Sequence, residues 1–182
     1  MPDYSIRRAA PADLDGARQV MLDAVYRDFG TGYVPHWHAD IVDPASYYLS
    51  DPRHTLIVAV EERGDGTGTG SVAATAALDA RGPAHPPNPP WVAERYPSGT
   101  TAQLRRVYVR PEHRRRGLAT RLVGELMDFA RRDGGYGAAY LHAHPRSPGA
   151  MELWRSLGKV VCDERDEVGG GADTVHVELP LA

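Results

Sequence analysis

The chain contains 182 residues, of which 42% are hydrophobic and 25% charged, which is typical of one soluble globular domain and short for two. No apolar run approaches the ~18–20 residues that would span a bilayer, and the polar N-terminal residues do not predict a signal peptide. The single cysteine, Cys162, excludes an intrachain disulfide. We therefore expect one domain over residues 1–182, a reducing, cytoplasmic setting and no association with a membrane.

The N-terminal half of the chain predicts a strand, a helix and a hairpin. Alternating side chains over Tyr4–Ala9 predict the first strand, and apolar residues at helical spacing then predict a helix from Pro11 that ends at Gly30. Residues 31–52 predict a loop and a short second helix. Two β-rich runs follow, and the turn-forming residues 63–68 between them predict a hairpin. These two runs are His54–Glu62 and Thr69–Asp79.

Residues 80–100 contain six prolines and cannot form a long regular element. A loop of this length inside a compact domain is often a functional flap or a disordered segment. Strands and helices alternate after it, so the order of elements predicts a mixed α/β fold. These elements are a strand at Gln103–Val109, a helix at Gly117–Arg132, a strand at Ala138–Ala143, a short helix at Pro148–Leu157, and strands at Lys159–Asp163 and Thr174–Leu179 separated by a glycine turn at 169–171.

The net charge of −3 is distributed unevenly along the chain. Residues 105–121 contain seven arginines against one acid, Glu112, so this stretch carries +6 and the remainder carries −9. A basic segment in an acidic chain indicates one anionic ligand bound at one place, whereas a nucleic-acid binder would usually be basic across a whole face. We therefore expect no nucleic-acid partner. The alternative is that these arginines form a solvated surface at the start of a helix.

The junction between the strand that ends at Val109 and the helix that follows predicts an anion site. The first turn of a helix has unpaired N–H groups and the positive end of the helix dipole, which together attract anions. Gly117 and Ala119 are small enough to let phosphate oxygens approach the backbone. No acid occurs between Arg114 and Gly124, and the flanking arginines can add charge-assisted hydrogen bonds.

The segment Leu104–Thr120, LRRVYVRPEHRRRGLAT, resembles the coenzyme A motif of the GNAT superfamily of N-acetyltransferases. The core of that motif is Gln/Arg-x-x-Gly-x-Gly/Ala, and residues 114–119 match it with Arg, Gly and Ala. The Val-x-Pro at residues 109–111 is similar to the family's strand ending. Residues 147–158 resemble the family's last motif, Asn-x-x-Ala-x-x-Leu-Tyr-x-x-x-Gly. With two motifs in register on the right elements, the chain is identified as a member of the superfamily.

The resemblance implies a fold and an activity. The expected fold is α/β, a single domain with a central, mostly antiparallel twisted sheet of about seven strands, splayed between the fourth and fifth and flanked by about four helices. The expected co-substrate is acetyl-CoA (coenzyme A), whose acetyl group moves to the primary amine of a small molecule or peptide by direct attack in a ternary complex. A non-catalytic acyl-CoA-binding module of the same fold is the alternative.

The resemblance also implies which residues hold the co-substrate. The backbone of Val107 and Val109 is expected to pair with the pantetheine arm, and a backbone N–H of this strand is expected to stabilise the developing oxyanion. The full set implied to bind coenzyme A is Val107, Tyr108, Val109, Arg114, Arg115, Arg116, Gly117, Leu118, Ala119, Thr120, Ser147, Ala150 and Trp154.

Three positions depart from the family pattern. Trp154 replaces a tyrosine that often protonates the leaving thiolate, and we interpret this indole as a packing residue in the core or against the cofactor. Ser147 replaces the asparagine of the last motif. Gln103 stands where related sequences often have glutamate, and an amide cannot act as a base. The motifs therefore do not identify the catalytic acid and base.

The candidates for proton transfer are His144, His142 and Tyr108. The two histidines lie near the end of the strand beside the expected gap and on one side of it, although most histidines are simply packed or exposed. Tyr108 has cross-strand packing as its alternative role. Glu94 could fold over the site from the proline-rich segment, but we favour a solvated carboxylate there. The thiolate could also leave without a dedicated acid.

The acceptor is expected beside the first helices. Tyr33, Trp37 and Gln103 are the candidate substrate-binding residues. Further aromatic side chains could line the acceptor site, namely Tyr47, Tyr48, Trp91 and Tyr96. Helix packing or a homodimer contact would explain these aromatic residues equally well. The charge of −9 outside the basic segment favours a cationic amine acceptor. The two His-x-His pairs have no third ligand at metal spacing, so we expect no metal, and we interpret Cys162 as a core residue.

Overall fold

The computed structural model describes residues 3–62, 70–166 and 172–181, so the turns predicted at 63–68 and 169–171 lie outside the described residues. Seven strands within the described part form one sheet in the order β1-β2-β3-β4-β5-β7-β6. The strands are β1 (Tyr4–Arg8), β2 (Thr55–Glu61), β3 (Val72–Asp79), β4 (Thr101–Val109), β5 (Ala138–Ala143), β6 (Lys159–Asp163) and β7 (Val175–Leu179). The α-helices are α1 (Leu14–Arg27), α2 (Pro35–Val42), α3 (Pro44–Tyr48), α4 (Pro90–Arg95), α5 (Leu118–Phe129) and α6 (Ala150–Leu157).

This sheet confirms the predicted mixed α/β fold. Neighbouring strands are antiparallel except for β4 and β5, which are parallel. The described residues contain six helices and not about four, because residues 31–52 form two short helices, α2 and α3, where one was expected, and the segment 80–100 forms α4. Pro35, Pro44 and Pro90 each begin one of these three. Proline suits the first turn of a helix because its fixed φ is helical and its missing N–H is not needed there. The segment 80–100 therefore contains α4 and is not one continuous loop.

Two helices differ from the predicted bounds. The helix expected over Gly117–Arg132 consists of α5 followed by a wider helical turn at Ala130–Gly134. The helix expected from residue 148 begins at residue 150, because Gly149 has a left-handed φ of 72° that a right-handed helix cannot contain.

The sheet lies between two layers of helices. Alternate residues of β2 belong to two different clusters of buried side chains, which places α1–α3 on one face and α5 on the other. On the α5 face, Leu118, Leu122 and Leu126 recur every four residues and are almost fully buried, as their spacing predicted. On the opposite face, Tyr96, directly after α4, stacks on Tyr140 of β5 with ring centroids 4.7 Å apart.

The pairing between β4 and β5 stops after three residue pairs, of which Gln103 with Tyr140 is the last. Beyond it, residues 104–109 of β4 pair with β3 alone among the described strands. A bulge at Arg106, whose φ of 54° is left-handed, shifts the register against β3 and bends the strand. The carbonyl of Arg106 accepts a hydrogen bond from Thr75 Oγ1 at 2.8 Å. The predicted splay is therefore confirmed, and we call the space between residues 104–109 and the end of β5 the gap.

Two glycines provide a matched test of packing. A Cβ at Gly158, where the chain leaves α6, would lie 2.5 Å from the carbonyl oxygen of Glu178, whereas a Cβ at Gly124 in α5 would meet nothing within 4 Å. Gly158→Ala should therefore lower the free energy of unfolding by about 1–3 kcal/mol. Gly124→Ala should raise it by up to about 1 kcal/mol, because alanine favours a helix. Urea unfolding measures both values, and an undiminished stability of Gly158→Ala would contradict the close approach of α6 to β7.

Candidate active site

The segment between β4 and α5 exposes several backbone N–H groups. Arg115 and Gly117 have left-handed φ values of 62° and 72°, an alternation that turns successive N–H groups toward one side. The N–H of Arg121 donates to the carbonyl of Gly117 at 3.1 Å, so the N–H groups of residues 118–120 have no acceptor within the helix. A Cβ on Gly117 would meet nothing within 4 Å, so a ligand could approach this backbone closely. The turn therefore fits a phosphate group.

Four of the seven arginines in residues 105–121 form ion pairs with aspartates that are distant in the sequence. The pairs are Arg105–Asp79 at 2.9 Å, Arg106–Asp40 at 2.8 Å, Arg110–Asp23 at 3.0 Å and Arg114–Asp28 at 2.6 Å. The charge of +6 counted along the sequence is therefore largely neutralised in the fold. Arg115, Arg116 and Arg121 are exposed at the start of α5 and have no ion pair within the described ranges. These three side chains are the ones left to attract an anionic ligand.

The buried side chain of His113 supports the turn between β4 and α5. The Nδ1 atom of His113 lies 2.8 Å from the hydroxyl of Tyr4 in β1, and Arg116 Nη1 donates to that hydroxyl at 3.1 Å. Arg116 also donates to the carbonyl of Glu112 at 3.2 Å. The Tyr4–His113 contact could not be predicted from local sequence patterns, because the two residues are 109 positions apart.

The second half of β4 presents different side chains to the two faces of the sheet. Val107 and Val109 are half-buried and pack against the α5-side cluster, whereas Tyr108 packs against the α1–α3 cluster. The ring of Phe29 lies 5.9 Å from that of Tyr108 and 6.2 Å from that of His144. Two of the three candidates for proton transfer, Tyr108 and His144, therefore lie near Phe29 on the same face of the sheet.

Residues 147–158, which resemble the family's last motif, form the turn before α6 and α6 itself. The carbonyl of Ser147 accepts from the N–H of Ala150 at 3.1 Å, which closes the turn before the helix. Trp154 is 6% exposed and belongs to the cluster of buried side chains beneath α5. This burial agrees with its interpretation as a packing residue.

Three side chains form the floor of the gap where β4 and β5 part: Gln103, Arg105 and His142. Gln103 is 1% exposed, so it reaches a ligand only through its two neighbours. Arg105 Nη2 donates to Gln103 Oε1 at 3.0 Å, which leaves the Gln103 amide nitrogen 3.3 Å from His142 Nδ1. Because an amide nitrogen is a donor only, Nδ1 of His142 accepts, and its proton is assigned to Nε2.

The surroundings keep His142 neutral. Part of its side chain is exposed. Desolvation of the ring by the surrounding protein disfavours the charged form, and the positive charge of Arg105 adds to this effect. Together they lower the pKa of His142 to about 3. His142 is therefore uncharged at neutral pH and is a hydrogen-bond donor at Nε2 rather than a strong base.

The His144 ring has a similar constraint. Its Nδ1 accepts from the backbone N–H of Arg146 at 3.2 Å, which again assigns the proton to Nε2. Tyr108 differs, since its hydroxyl lies 3.5 Å from Arg106 Nη1, a donor. Because the Tyr108 oxygen accepts from Arg106, the hydrogen of the Tyr108 hydroxyl can be donated to a ligand.

Arg106 connects the bulge of β4 to α2. Its Nε and Nη2 both donate to the carboxylate of Asp40 at 2.8 Å, and Nη2 also donates to the carbonyl of Trp37 at 2.6 Å. The hydroxyl of Tyr48 donates to the same carboxylate. Burial raises the pKa of Asp40, but the hydrogen bonds and charge of Arg106 outweigh burial and hold that pKa below its ordinary value.

The aromatic residues expected near the acceptor separate into two groups. Trp37 is 58% exposed and Tyr33 is half-exposed, so both can contact a ligand. Tyr48 and Tyr96 belong to the core, because both side chains are buried. The hydroxyl of Tyr48 donates to the carboxylate of Asp40 and that of Tyr96 to the carboxylate of Glu178. Glu94 is exposed, as expected for a solvated carboxylate.

A second hydrogen-bonded chain lies beside the floor on β5 and β7. The hydroxyl of Tyr140 is 2.6 Å from Nδ1 of His176, whose Nε2 is 2.6 Å from Glu164 Oε1, and all three residues are buried. The ring of Tyr140 lies 6.3 Å from that of His142. Sequence reasoning missed this chain because it depends on the pairing of His142 with His176 across the two strands.

Neither a metal site nor a membrane span is found in the part of the chain that the structure describes. No group of three His, Cys, Asp or Glu residues there could hold a metal ion. No helix among the described residues is long and apolar enough to cross a membrane.

Comparison with known proteins identifies related sequences. The sequence model of the acetyltransferase (GNAT) family matches residues 22–158. A curated protein of Drosophila melanogaster, named "Probable N-acetyltransferase san", is 28% identical over 72 residues. That match covers 37% of this chain and 39% of the Drosophila protein.

Solved structures share the fold over nearly the whole chain. A GNAT-family acetyltransferase of Staphylococcus aureus Mu50 has a TM-score of 0.70 at 10% identity and covers 99% of this chain and 100% of its own. The structure of yncA from Salmonella typhimurium with its cofactor acetyl-CoA has a TM-score of 0.67 at 20% identity, covering 99% and 95%. Arabidopsis thaliana NAA60 in complex with a bisubstrate analogue has a TM-score of 0.64 at 18% identity, covering 97% and 98%.

The buried pair between Asp40 and Arg106 makes a prediction about stability. Asp40→Asn should lower the free energy of unfolding by about 3–5 kcal/mol at pH 7, because it leaves a buried guanidinium without a charged partner. Since the pKa of Asp40 is lowered in the fold, its contribution is complete above the unfolded pKa of ~4 and is lost as the pH falls below it. Urea unfolding at pH 7 and pH 3 should therefore show a smaller difference between wild type and variant at pH 3.

The matched control for this variant is Asp15→Asn. Asp15 pairs with Arg18 at 2.6 Å, but its side chain is 93% exposed. An exposed pair of this kind contributes less than about 1 kcal/mol. Equal losses of stability in the two variants would contradict the anchoring role of Asp40.

Proposed function

Because the chain belongs to the GNAT family of acetyltransferases, we propose that it transfers the acetyl group of acetyl-CoA to the primary amine of a small molecule or peptide. The observation that carries this proposal is the divergence of β4 from β5 beside a turn rich in free N–H groups. Bound acetyl-CoA supplies a thioester that an amine can attack. The relative named as an N-acetyltransferase and the neighbour crystallised with a bisubstrate analogue support direct transfer in a ternary complex.

We propose that the donor is held mainly by backbone groups. The backbone of Val107 and Val109, which has no partner strand on the β5 side among the described residues, would hold the pantetheine arm as an added strand. The N–H groups of residues 115–120 would hold the pyrophosphate, since the N–H of Arg114 donates to the carbonyl of Pro111 and its Nε donates to the carbonyl of Val109. The side chains of Arg115 and Arg116 would add charge-assisted hydrogen bonds from the exposed side. Ser147, Ala150 and Trp154 would border the arm from α6.

We propose that the floor supplies hydrogen-bond donors and no strong base. His142, with its proton on Nε2, and Tyr108, with its free hydroxyl hydrogen, would donate to atoms that gain negative charge during transfer. His144 has the same tautomer and would also donate. The amine would then lose its proton to solvent before it attacks.

Two further expectations remain predictions. The single cysteine favours a reducing, cytoplasmic setting. The exposed Tyr26 and Trp37 leave a homodimer contact on the α1–α2 side as a prediction.

Binding of the donor can be tested by thermal unfolding. Acetyl-CoA at 100 times its dissociation constant should stabilise the protein by about 2.7 kcal/mol and raise its Tm. Gly117→Glu should abolish this increase, because it places a carboxylate where a phosphate is proposed to bind.

Gly135→Glu is the matched control. Gly135 also has a left-handed φ, of 61°, and a Cβ there would likewise meet nothing within 4 Å. Both variants therefore carry the same backbone strain, but Gly135 lies beyond the end of α5, away from the turn. No increase in Tm with millimolar acetyl-CoA in the wild type would refute the proposed function.

Catalysis can be tested by the release of the coenzyme A thiol across a panel of amines. With no strong base on the floor, kcat/KM should rise about tenfold per pH unit until the acceptor ammonium has lost its proton. His142→Asn should lower kcat by roughly 10- to 100-fold, as expected for loss of one donor, and leave the pH dependence unchanged. An ionisation near pH 6.5 that disappears in His142→Asn or His144→Gln would instead assign the base to that histidine. Binding of acetyl-CoA without turnover of any amine would favour the non-catalytic acyl-CoA-binding module.

A further inference from the structure

The charges around the floor of the gap do not cancel. Asp79 is completely buried, and its carboxylate is shared between two guanidinium groups, those of Arg81 and Arg105. One negative charge therefore faces two positive charges, whereas Asp40 and Arg106 neutralise each other. The cluster of Asp79, Arg81 and Arg105 therefore carries one net positive charge beside the neutral His142.

Arg105 has donors that the fold does not use. Its Nη2 donates to Gln103 Oε1 at 3.0 Å and to the carbonyl of Arg81 at 3.3 Å. Its Nε lies 2.9 Å from Asp79 Oδ2 but at an angle that makes no hydrogen bond, and Nη1 has no hydrogen-bond partner within the described ranges. The two N–H groups of Nη1 are therefore the donors that remain for a carboxylate oxygen of a ligand. The side chain is 24% exposed, so a ligand in the gap can reach it.

We propose that the acceptor is a small amine that also carries a carboxylate, as an α-amino acid does, and that Arg105 binds this carboxylate. This inference rests on the proposed acetyl transfer and names its substrate class. It adds a carboxylate to the expected cationic amine acceptor, an expectation based on the charge of −9 outside residues 105–121. Two of the acids that produce that charge, Asp79 and Asp40, are already paired with arginines.

The same positive charge favours acceptors that carry a carboxylate. A guanidinium near the site repels the ammonium group of a plain amine. The carboxylate of an amino acid offsets this repulsion, so the amino acid binds more favourably than the plain amine. The rings of Phe29, Tyr108 and His144 would then contact the side chain of the acceptor.

The test compares acceptors that differ only in the carboxylate. The pairs are phenylalanine with phenethylamine and leucine with 3-methylbutylamine, and phenylalanine methyl ester retains the carbonyl without the charge. With acetyl-CoA as donor, kcat/KM measured by thiol release should be roughly 10- to 100-fold higher for the amino acids, the range expected for one charge-assisted contact. Similar values for both members of each pair would overturn the proposal.

Arg105→Gln tests the assignment to this residue. It should remove the preference for the carboxylate: the ratio of kcat/KM for each amino acid to that for its plain amine should fall by roughly 10- to 100-fold, beyond any loss that the two acceptors share through the contact of Arg105 with Gln103. Arg131→Gln, which removes an exposed arginine that pairs with Asp128 at the end of α5, should change neither. An equal loss for both acceptor classes in Arg105→Gln would overturn the assignment. An increase in Tm with acetyl-CoA verifies that the variant is folded; if it is not folded, the wild-type comparison decides alone.

The outcomes separate this inference from the function on which it rests. Turnover of polyamines or peptide N-termini but not of free amino acids would leave the acetyltransferase function standing and overturn the proposed acceptor class. No turnover of any amine, although acetyl-CoA binds, would overturn both.

Discussion

The structure depends on one constraint, which is that the central strand stops pairing with its neighbour halfway along its length. Beyond Gln103, β4 pairs with β3 alone among the described strands, and strand backbone groups without partners are costly unless a side chain, water or a ligand satisfies them, as Arg114 Nε does for the carbonyl of Val109. The bulge that bends the strand holds Arg106 in a left-handed conformation, which persists only when its surroundings enforce it. The ion pair with Asp40 supplies that enforcement. The residue that opens the gap therefore also anchors α2 beside it.

The arginines of residues 105–121 show that a charge counted along a sequence differs from a charge available to a ligand. Four of them are bound to aspartates, and these ion pairs join β4 and the following turn to α1, α2 and β3. Such pairs contribute to the position of the turn more than to its electrostatic potential. The attraction for phosphate then comes mainly from oriented N–H groups at the start of α5, whose direction the backbone fixes. The paired arginines hold those groups in place.

Local patterns predicted the part of the molecule that local forces determine. Helical spacing identified the buried stripe of α5, alternation identified the strands, and the motif at residues 114–119 identified the turn before α5. Long-range contacts could not be predicted in this way. Asp40 and Arg106 are 66 positions apart, and nothing near either residue indicates the other. The burial of Tyr48 depends on the same pair, so an aromatic residue expected beside the acceptor belongs to the core. The Tyr140–His176–Glu164 chain likewise follows from the pairing of β5 with β7 and from the turn that follows β6.

The glutamine at position 103 has a consequence that extends beyond the loss of a possible base. A glutamate there would accept a hydrogen bond from a protonated Nδ1 of His142. The other ring nitrogen, Nε2, would then be free to take a proton. The glutamine amide instead donates to Nδ1, because Arg105 already occupies its oxygen. This exchange of one oxygen for one nitrogen moves the imidazole proton to Nε2 and converts the histidine from an acceptor into a donor. A site organised in this way stabilises negative charge at the atoms that receive it and leaves the proton of the amine to solvent.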